Sequence, residues 1–589
     1  MNILYRVFVG MLLLVLVAGG AVHAAERPLL SEAGTRAESP EPLPTPDAPD
    51  AVSNAAESTA PAASEAQPYA APRFHEKIDL DAIQLEPFYE KLAAKAAPEE
   101  TLLTLEECIR RGLKSNLDIQ IVSFGSLKSA ADILAAQGEF DPIGTGSVTY
   151  TETEQQASSQ IFAYGGISTI DDYRARGQAG IQGKLHWGTK YDVSMLLEWE
   201  ENTFNYYIKE WSGGLSLSLT QPLLRGRGKA VNLARVRIAQ NAEETAEHQL
   251  KIQTMSSLAE IIKAYWDLVG AVEQHKVRLS SMANAERLLT LNEKRLEIGT
   301  GAAIDVVQAR AGLAARQSDV VSAMGLIADA ATRLRTLLHV EPGDPLLEKR
   351  IVPVDRPHPD DSQIDLEESM ARALALRPEI QAGGLVIDNA RINSAVAKNN
   401  LLPQLDVGGS VFQGARGPEK YDVFEGIRDR DDNSVSVTVQ GSVPIGNRAA
   451  RGQYQRSRIE ISEAERQLEK ARQDILLAIR MAYTAIETNR TLVESSTQSR
   501  KLQEINVAAE EKLLELGLAS SYQVLDMQGD LTAAQSQEVQ ATIALEKAFV
   551  DLRLAEGSLL ELLGIEFVPP AAEPPVGYFR SVLPFVNKD

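Results

Sequence analysis

Leu105-Glu106-Glu107-Cys108-Ile109 returns 261 positions later as Leu366-Glu367-Glu368-Ser369-Met370. In the same register Arg111, Leu113 and Ile119-Gln120 return as Arg372, Leu374 and Ile380-Gln381. A second block repeats at an offset of 218. There Glu297-Ile298-Gly299 matches Glu515-Leu516-Gly517, Ala264-Tyr265 matches Ala482-Tyr483, and Leu313 and Gln317 match Leu531 and Gln535. Agreement in one register over so long a stretch marks an internal duplication. The drop between the two offsets gives the first copy about forty extra residues.

Each copy reads as helix, strands, long helix, turn, helix. The first repeat is placed at 99–340 and the second at 364–565, joined by a connecting segment over 341–363. Leading helices are expected over 101–138 and 366–400, each closed by a proline at its exit, Asp141-Pro142 and Leu402-Pro403. Long helices are expected over 230–298 and 448–516. Ile261, Tyr265, Leu268 and Val272 step by three and four, as do Ile475, Ile479, Ala482 and Ile486. At 1.5 Å per residue each makes a rod of about 100 Å, which no compact domain needs. Shorter helices over 302–339 and 519–563 follow turns at Gly299-Thr300-Gly301 and Gly517, where glycine suits a left-handed helix stop. Stacked end to end with the leading helices 366–400 and 101–138, they make up the length of the rods.

Between the helices the apolar residues alternate with a period of two. Leu215, Leu217 and Leu219 alternate with Ser216, Ser218 and Thr220, and Val435, Val437 and Val439 with Ser434, Ser436 and Thr438. Four strands are expected in the first copy (143–153, 176–187, 190–201, 211–221) and two in the second (405–414, 434–444). The turn Gly188-Thr189 joins an added hairpin, which accounts for much of the extra length. A soluble half-buried sheet shows the same alternation. Two features favour a membrane barrel. The segments are near the ~10 residues that a tilted membrane strand needs. Trp187, Trp199 and Trp211 stand at strand ends with Tyr150, Tyr164, Tyr206 and Tyr207 nearby, as membrane-interface aromatics do.

Residues 1–24 read as a secretory signal, with Arg6 before the apolar run Val7 to Val17 and a small-residue end at Ala24. The run is shorter than the ~20 apolar residues of a membrane helix, and no later run of that length is expected. An exported chain without a membrane helix enters a membrane only as closed strands. Residues 25–98 are expected to be disordered over the Pro-, Ala-, Glu- and Ser-rich part to 75, with one short helix around Phe88. The tail 566–589 is irregular. Aromatics make up only 5% of the chain, which fits long helices with a narrow buried stripe. A net charge of −22 gives no support to nucleic-acid binding; it fits a soluble acidic surface or an acidic lumen. The single cysteine, Cys108, allows no internal disulfide and is expected to be a small buried group; it lies in no lipoprotein cleavage box. No catalytic constellation, metal spacing or cofactor motif is present in the pattern of residues. Arg225-Gly226-Arg227-Gly228 reads as a loop at the membrane border.

These features together make the chain resemble the TolC family of outer-membrane efflux proteins over roughly 101–565. The resemblance rests on the tandem repeat and on Leu219-Thr220-Gln221-Pro222-Leu223 at a strand end. It rests also on two tip segments, Gly299 to Val306 and Gly517-Leu518-Ala519-Ser520-Ser521-Tyr522-Gln523-Val524-Leu525-Asp526. It implies a mainly α fold with a β-barrel portion: antiparallel coiled-coil helices plus four to six membrane strands per protomer. It implies a homotrimer in the outer membrane with its helices in the periplasm. A periplasmic adaptor (membrane fusion protein) and an inner-membrane transporter dock on it, in a tripartite efflux pump or a type I secretion system. No enzymatic step and no cofactor are implied. In the family, acidic residues after the second tip glycine ring the periplasmic aperture. Asp526 matches one such position and Gln523 the other, while Asp305 matches an acidic residue of the closed-state lock whose partners correspond here to Leu514 and Ala519. Gly299, Gly301 and Gly517 mark the adaptor-docking end. From another class, a non-channel periplasmic coiled-coil scaffold or adhesin fits the helices but not the strands.

Overall fold

The computed structural model describes residues 100–156, 169–202, 209–357 and 364–570. The expected signal, the stretch to residue 98, most of the tail, and Tyr164, Tyr206 and Tyr207 lie outside the described residues. Among the described residues eight strands are present: β1 Glu100–Leu103, β2 Ile143–Gln156, β3 Thr169–Lys184, β4 Lys190–Asn202, β5 Glu210–Pro222, β6 Arg350–Pro353, β7 Gln404–Gly417 and β8 Asp432–Ser442. The helices longer than a single turn are α1 Leu105–Ser115, α2 Leu117–Gln137, α3 Ala234–Glu297, α4 Ala303–Leu337, α5 Leu366–Leu376, α6 Pro378–Asn399, α7 Lys420–Asp429, α8 Arg448–Glu515 and α9 Ser521–Glu556.

The two rods are continuous. With 64 residues in α3 and 68 in α8, they run about 96 Å and about 102 Å. Each turns back at a glycine in the left-handed conformation, Gly299 at φ 77° and Gly517 at φ 73°. At both turns the amide three residues beyond the helix reaches a carbonyl five residues back, Thr300 to Arg295 and Leu518 to Leu513. This closure satisfies the end carbonyls of the rod only if the intervening residue has positive φ.

The leading helices are not continuous, contrary to the expectation for 101–138 and 366–400. The first divides into β1, α1 and α2, and the second into α5 and α6. Asn116 is extended at φ −62°, ψ 124°, and its Oδ1 accepts from the amides of Asp118 and Ile119, capping α2. The equivalent position is Arg377, where Pro378 keeps the preceding residue out of the helical region. Both break residues then tie a second helix. Asn116 Nδ2 donates to the carbonyl of Leu337 at the end of α4, and Arg377 Nη1 to that of Leu554 near the end of α9. The stacked pairs are therefore α4 with α2 and α9 with α6, each within its own repeat.

β1 and β6 form a short parallel pair that alternation did not disclose, because four residues are too few to show a period. Tyr265, fully buried in α3, donates to Asp355 just after β6 and touches the carbonyl of Leu103. Cys108 is buried in the same cluster with Leu258, Ile261 and Leu334, and burial pushes its thiol up to about 12, so it stays protonated. By length and composition the span Leu117–Phe140 is apolar enough to cross a membrane, which corrects the expectation that none is. It packs along α3, and Ile121 and Phe124 on it remain exposed.

The end of α9 is held by a buried charge. Glu556 is fully buried and accepts from Arg372 at 3.0 Å, Arg553 at 3.2 Å and Ser558 Oγ at 2.9 Å. Burial raises its pKa, but the hydroxyl bonds and two guanidinium charges outweigh this, and the net shift is downward. Glu556→Gln is expected to destabilise the protein by about 2 kcal/mol, because it removes the charge from a buried carboxylate that accepts from two partly exposed arginines. The stabilisation from a depressed carboxyl is present above its unfolded value near 4.5 and is lost as pH falls through the folded value below that. Thermal unfolding of both proteins should therefore show a gap at pH 7 that closes in acid; a gap independent of pH contradicts the assignment.

Candidate functional site

β2, β3, β4, β5, β7 and β8 form one antiparallel sheet in that order. Residues directly opposite each other in such a ladder share a face. One row runs Gly144, Ile181, Val193, Leu217, Val411, Val435 across all six strands. The neighbouring row on the other face includes Gln182, Asp192, Ser218, Ser410 and Ser436. Ser410 and Ser436 are bonded there through their hydroxyls at 2.9 Å. Further along that polar face Arg176 meets Glu198 and Arg174 meets Glu200, so its charges are paired across strands.

Burial along β5 is the reverse of a soluble sheet. In β5, Leu215, Leu217 and Leu219 are exposed while Ser216, Ser218 and Thr220 between them are half-buried. Val435 and Val437 are 74% and 75% exposed. Strand β5, which leaves its leucines uncovered and half-buries its hydroxyls, suits lipid outside and water inside.

The aromatic residues mark the ends of that apolar face. Tyr150, Ala175, Trp199 and Trp211 share one row at the far end. Trp187 sits at the near end in the turn between β3 and β4, half exposed. From Tyr191 to Trp199 is about 27 Å along the strand, about 20 Å once tilted, close to the height of a membrane barrel's apolar band. Helix α7, unexpected from the sequence, lies on this face at the far end. Val423 is fully buried there, and a Cβ at Gly213 would meet it at 3.1 Å, so glycine seats the helix. Its trace in the sequence is the capping box of Glu419 and Asp422 followed by Val423 and Ile427.

Arg225-Gly226-Arg227-Gly228 joins the sheet to the rods. Arg225 Nη2 donates to Gln404 Oε1 at 2.7 Å, tying β5 to the start of β7, and the Gly226 amide donates to Asn399 Oδ1. The Gly228 amide donates to the Trp187 carbonyl, which fixes the added hairpin to the same junction.

At the opposite ends of α3 and α8 the two tips are brought together. Leu288, Leu514 and Val524 form a small apolar cluster with Ala519 packed against it. Arg295 Nη2 donates to the Leu514 carbonyl at 2.7 Å, and Ser521 Oγ to the buried Asn292 Oδ1 at 2.9 Å. The first ties α3 to α8, and the second is the last of a line of polar links between α3 and α9. The line continues with Ser281 to Thr532, Gln274 to the Ser536 carbonyl, and Asp267 to Lys547. Asp526 is exposed on the first turns of α9, and Asp305 is half-buried in the first turn of α4, where a carboxylate opposes the helix dipole favourably. Gln523 closes a capping box: its Oε1 accepts from the Ser520 amide while Ser520 Oγ accepts from its own. Gly301 packs its backbone against Arg295, where a Cβ would meet the Arg295 Cβ at 2.9 Å. Arg295, Asn292 and Ser521 were not singled out from sequence; the signal was polar residues, Ser281 and Asn292, inside the stripe that also holds Ala285 and Leu288. Among the described residues no group of His, Cys, Asp or Glu is placed to hold a metal ion.

Long paired rods ending in glycine turns, joined to a sheet with a bare apolar face, define a strand-forming outer-membrane duct subunit of TolC-like fold. The outer membrane efflux protein family matches residues 185–339 and 370–558, more than half of the chain, and the chain belongs to that family. It is 24% identical over 359 residues to the outer membrane efflux protein BepC of Brucella suis, covering 60% of this chain and 72% of that protein. It is 24% identical over 329 residues to protein CyaE of Bordetella pertussis, covering 55% and 67%. The fold is that of the Campylobacter jejuni CmeC outer membrane channel, with TM-score 0.57 and 15% identity over 77% of this chain and 85% of that one. It is also that of VceC from Vibrio cholerae, with TM-score 0.56 and 16% identity over 77% and 96%.

The two tip bonds are each worth about 1 kcal/mol, so losing both should shift a two-state tip equilibrium by about 30-fold. Arg295→Ala combined with Asn292→Ala is expected to raise the open probability of single channels in planar bilayers. Unchanged traces would show that these bonds do not hold the tip.

Proposed function

We propose that the chain is one subunit of a homotrimeric, passive export duct in the outer membrane. It docks a periplasmic adaptor and an inner-membrane transporter through its helical tips, in a tripartite efflux pump or a type I secretion system. The observation that carries the reading is the exposed apolar row of the sheet, with the leucines of β5 exposed beside its half-buried serines and threonine and the valines of β8 exposed on the same face. Rods of about 100 Å extend from it far enough to reach across a periplasm. The names of relatives support an export duct: BepC is an outer membrane efflux protein, and OpmQ of Pseudomonas aeruginosa a pyoverdine export outer membrane protein. A non-channel scaffold accounts for the rods but leaves the bare apolar face of the sheet without a purpose.

Asp526 is the aperture residue in this reading, with Asp305 and the capping Gln523 beside the tip and Gly299, Gly301 and Gly517 at the docking end. Three copies of Asp526 converging on an axis attract cations and repel one another. Trp187, Trp199, Trp211 and Tyr150 anchor the sheet at the lipid interfaces.

Fractionation tests the duct itself. The protein should require detergent for extraction and show β structure that changes its gel mobility only on heating. Release into a detergent-free soluble fraction would sink the channel and favour the scaffold. Asp526→Ala is expected to lower the preference for cations over anions in bilayers, and equal selectivity would remove Asp526 from the aperture.

A further inference from the structure

The sheet ends in two bare strands. β8 is exposed along its whole length, and β2 along nearly all of it. Neither edge carries proline or lysine, the residues that most often stop strands from pairing; the charges, Glu152 and Glu154 on β2 and Asp432 on β8, stand at the ends of the strands away from the rods. In lipid an unpaired edge leaves a row of amides and carbonyls unsatisfied, at several kcal/mol each. Both edges therefore need a strand, and the two complement each other. β2 leads away from the rods and β8 returns toward them, so β8 of one copy meets β2 of the next antiparallel, as every other pair in the sheet does. Their faces agree too, since Val148 and Tyr150 on β2 share the apolar face with Val435 and Val437 on β8.

We propose that β8 and β2 of neighbouring copies form the subunit seam with all six strands in the wall, so that three copies close a barrel of eighteen strands. The inference rests on the trimer proposed above. The added hairpin belongs to the wall because β3 and β4 are paired from Asp172–Asn202 to Lys184–Lys190, and β4 and β5 from Lys190–Thr220 to Glu200–Glu210. Only β2, β5, β7 and β8 run on into the long helical columns, the rods α3 and α8 and the stacked helices α2 and α6. The turn between β3 and β4 joins only those two strands and is bonded to the β5 junction, through the Gly228 amide and the Trp187 carbonyl. Four helical columns per subunit, two rods and two stacked pairs, thus carry six strands. With strands ~4.8 Å apart and tilted ~40°, eighteen make a barrel ~36 Å across between backbones, against ~24 Å for twelve.

The alternative wall drops the edge pair β2–β3, so that β8 meets β4 of the next copy and the barrel has twelve strands. Disulfide trapping separates the two. In a Cys108→Ala background, Val148→Cys is combined in turn with Val435→Cys, Val437→Cys and Val439→Cys to scan the seam register. A parallel set replaces Val148→Cys with Met195→Cys on β4. Oxidation in membranes should convert most chains of one Val148 combination into a covalent ring of three, with little product from the Met195 set. Rings from the Met195 set alone would overturn the proposal in favour of twelve strands. No ring from either set, in protein that sizes as a trimer when reduced, would overturn the seam and leave the trimer standing. A reduced protein that sizes as anything but three chains would overturn both.

Discussion

Lipid offers no hydrogen bonds, and this fixes how the chain is built. A strand in the hydrocarbon region must pair on both sides, so a chain with six strands cannot be complete alone. The sheet has two free edges in one chain, and both are long. Pairing through the backbone makes the assembly depend on no particular side chain, which leaves the strand faces free to divide their work. The apolar rows take the lipid, and the serine, threonine and paired-charge rows take water.

The duplication repeats solutions as well as residues. Each copy breaks its leading helix at the same place and uses that break to stack a returning helix on its end, through Asn116 in one and Arg377 in the other. Different side chains serve because the need is only for a donor that reaches the last carbonyls of the stacked helix. The copies then pack along unlike faces. α3 meets α9 through buried neutral groups near the tip and ion pairs nearer the sheet, Asp267 with Lys547 and Lys263 with Asp551.

Periodicity explains what could be read in advance. Rods with apolar steps of three and four, and strands alternating leucine with serine, leave patterns over many residues, and glycines at a rod's end leave a local one. The breaks at Asn116 and Arg377 leave only single-residue signals, a capping asparagine and Pro378, and the apolar pattern running through them outweighs both. β1 and β6 are too short to show alternation, and their pairing depends on contacts 250 residues apart, such as Leu105 with Asp355. Helix α7 was hidden within a charged loop, its single buried turn defined by the glycine beneath it rather than by its own sequence. At the tip, the residues read by resemblance and the residues that make bonds are different sets. Resemblance carried Asp526 and Asp305 across, but it had no means of finding Arg295 with the Leu514 carbonyl, a partner that any residue supplies.

The two ends of the duct differ in the kind of bond that holds them, and this decides where a gate can sit. The sheet is held by backbone ladders of ten or more residue pairs between neighbouring strands, which open only as a whole. The tip is held by one small apolar cluster and a few side-chain bonds, Arg295 to Leu514 and Ser521 to Asn292. Such bonds are worth about 1 kcal/mol each, within reach of what a docking partner supplies by binding one arrangement better than another. The rods between are continuous and turn on Gly299 and Gly517, where an added Cβ would meet no other side chain or backbone within 4 Å. A movement confined to the tips therefore disturbs neither the core around Tyr265 nor the sheet. Opening at the tip leaves the membrane seal intact, which a gate in the barrel wall could not do.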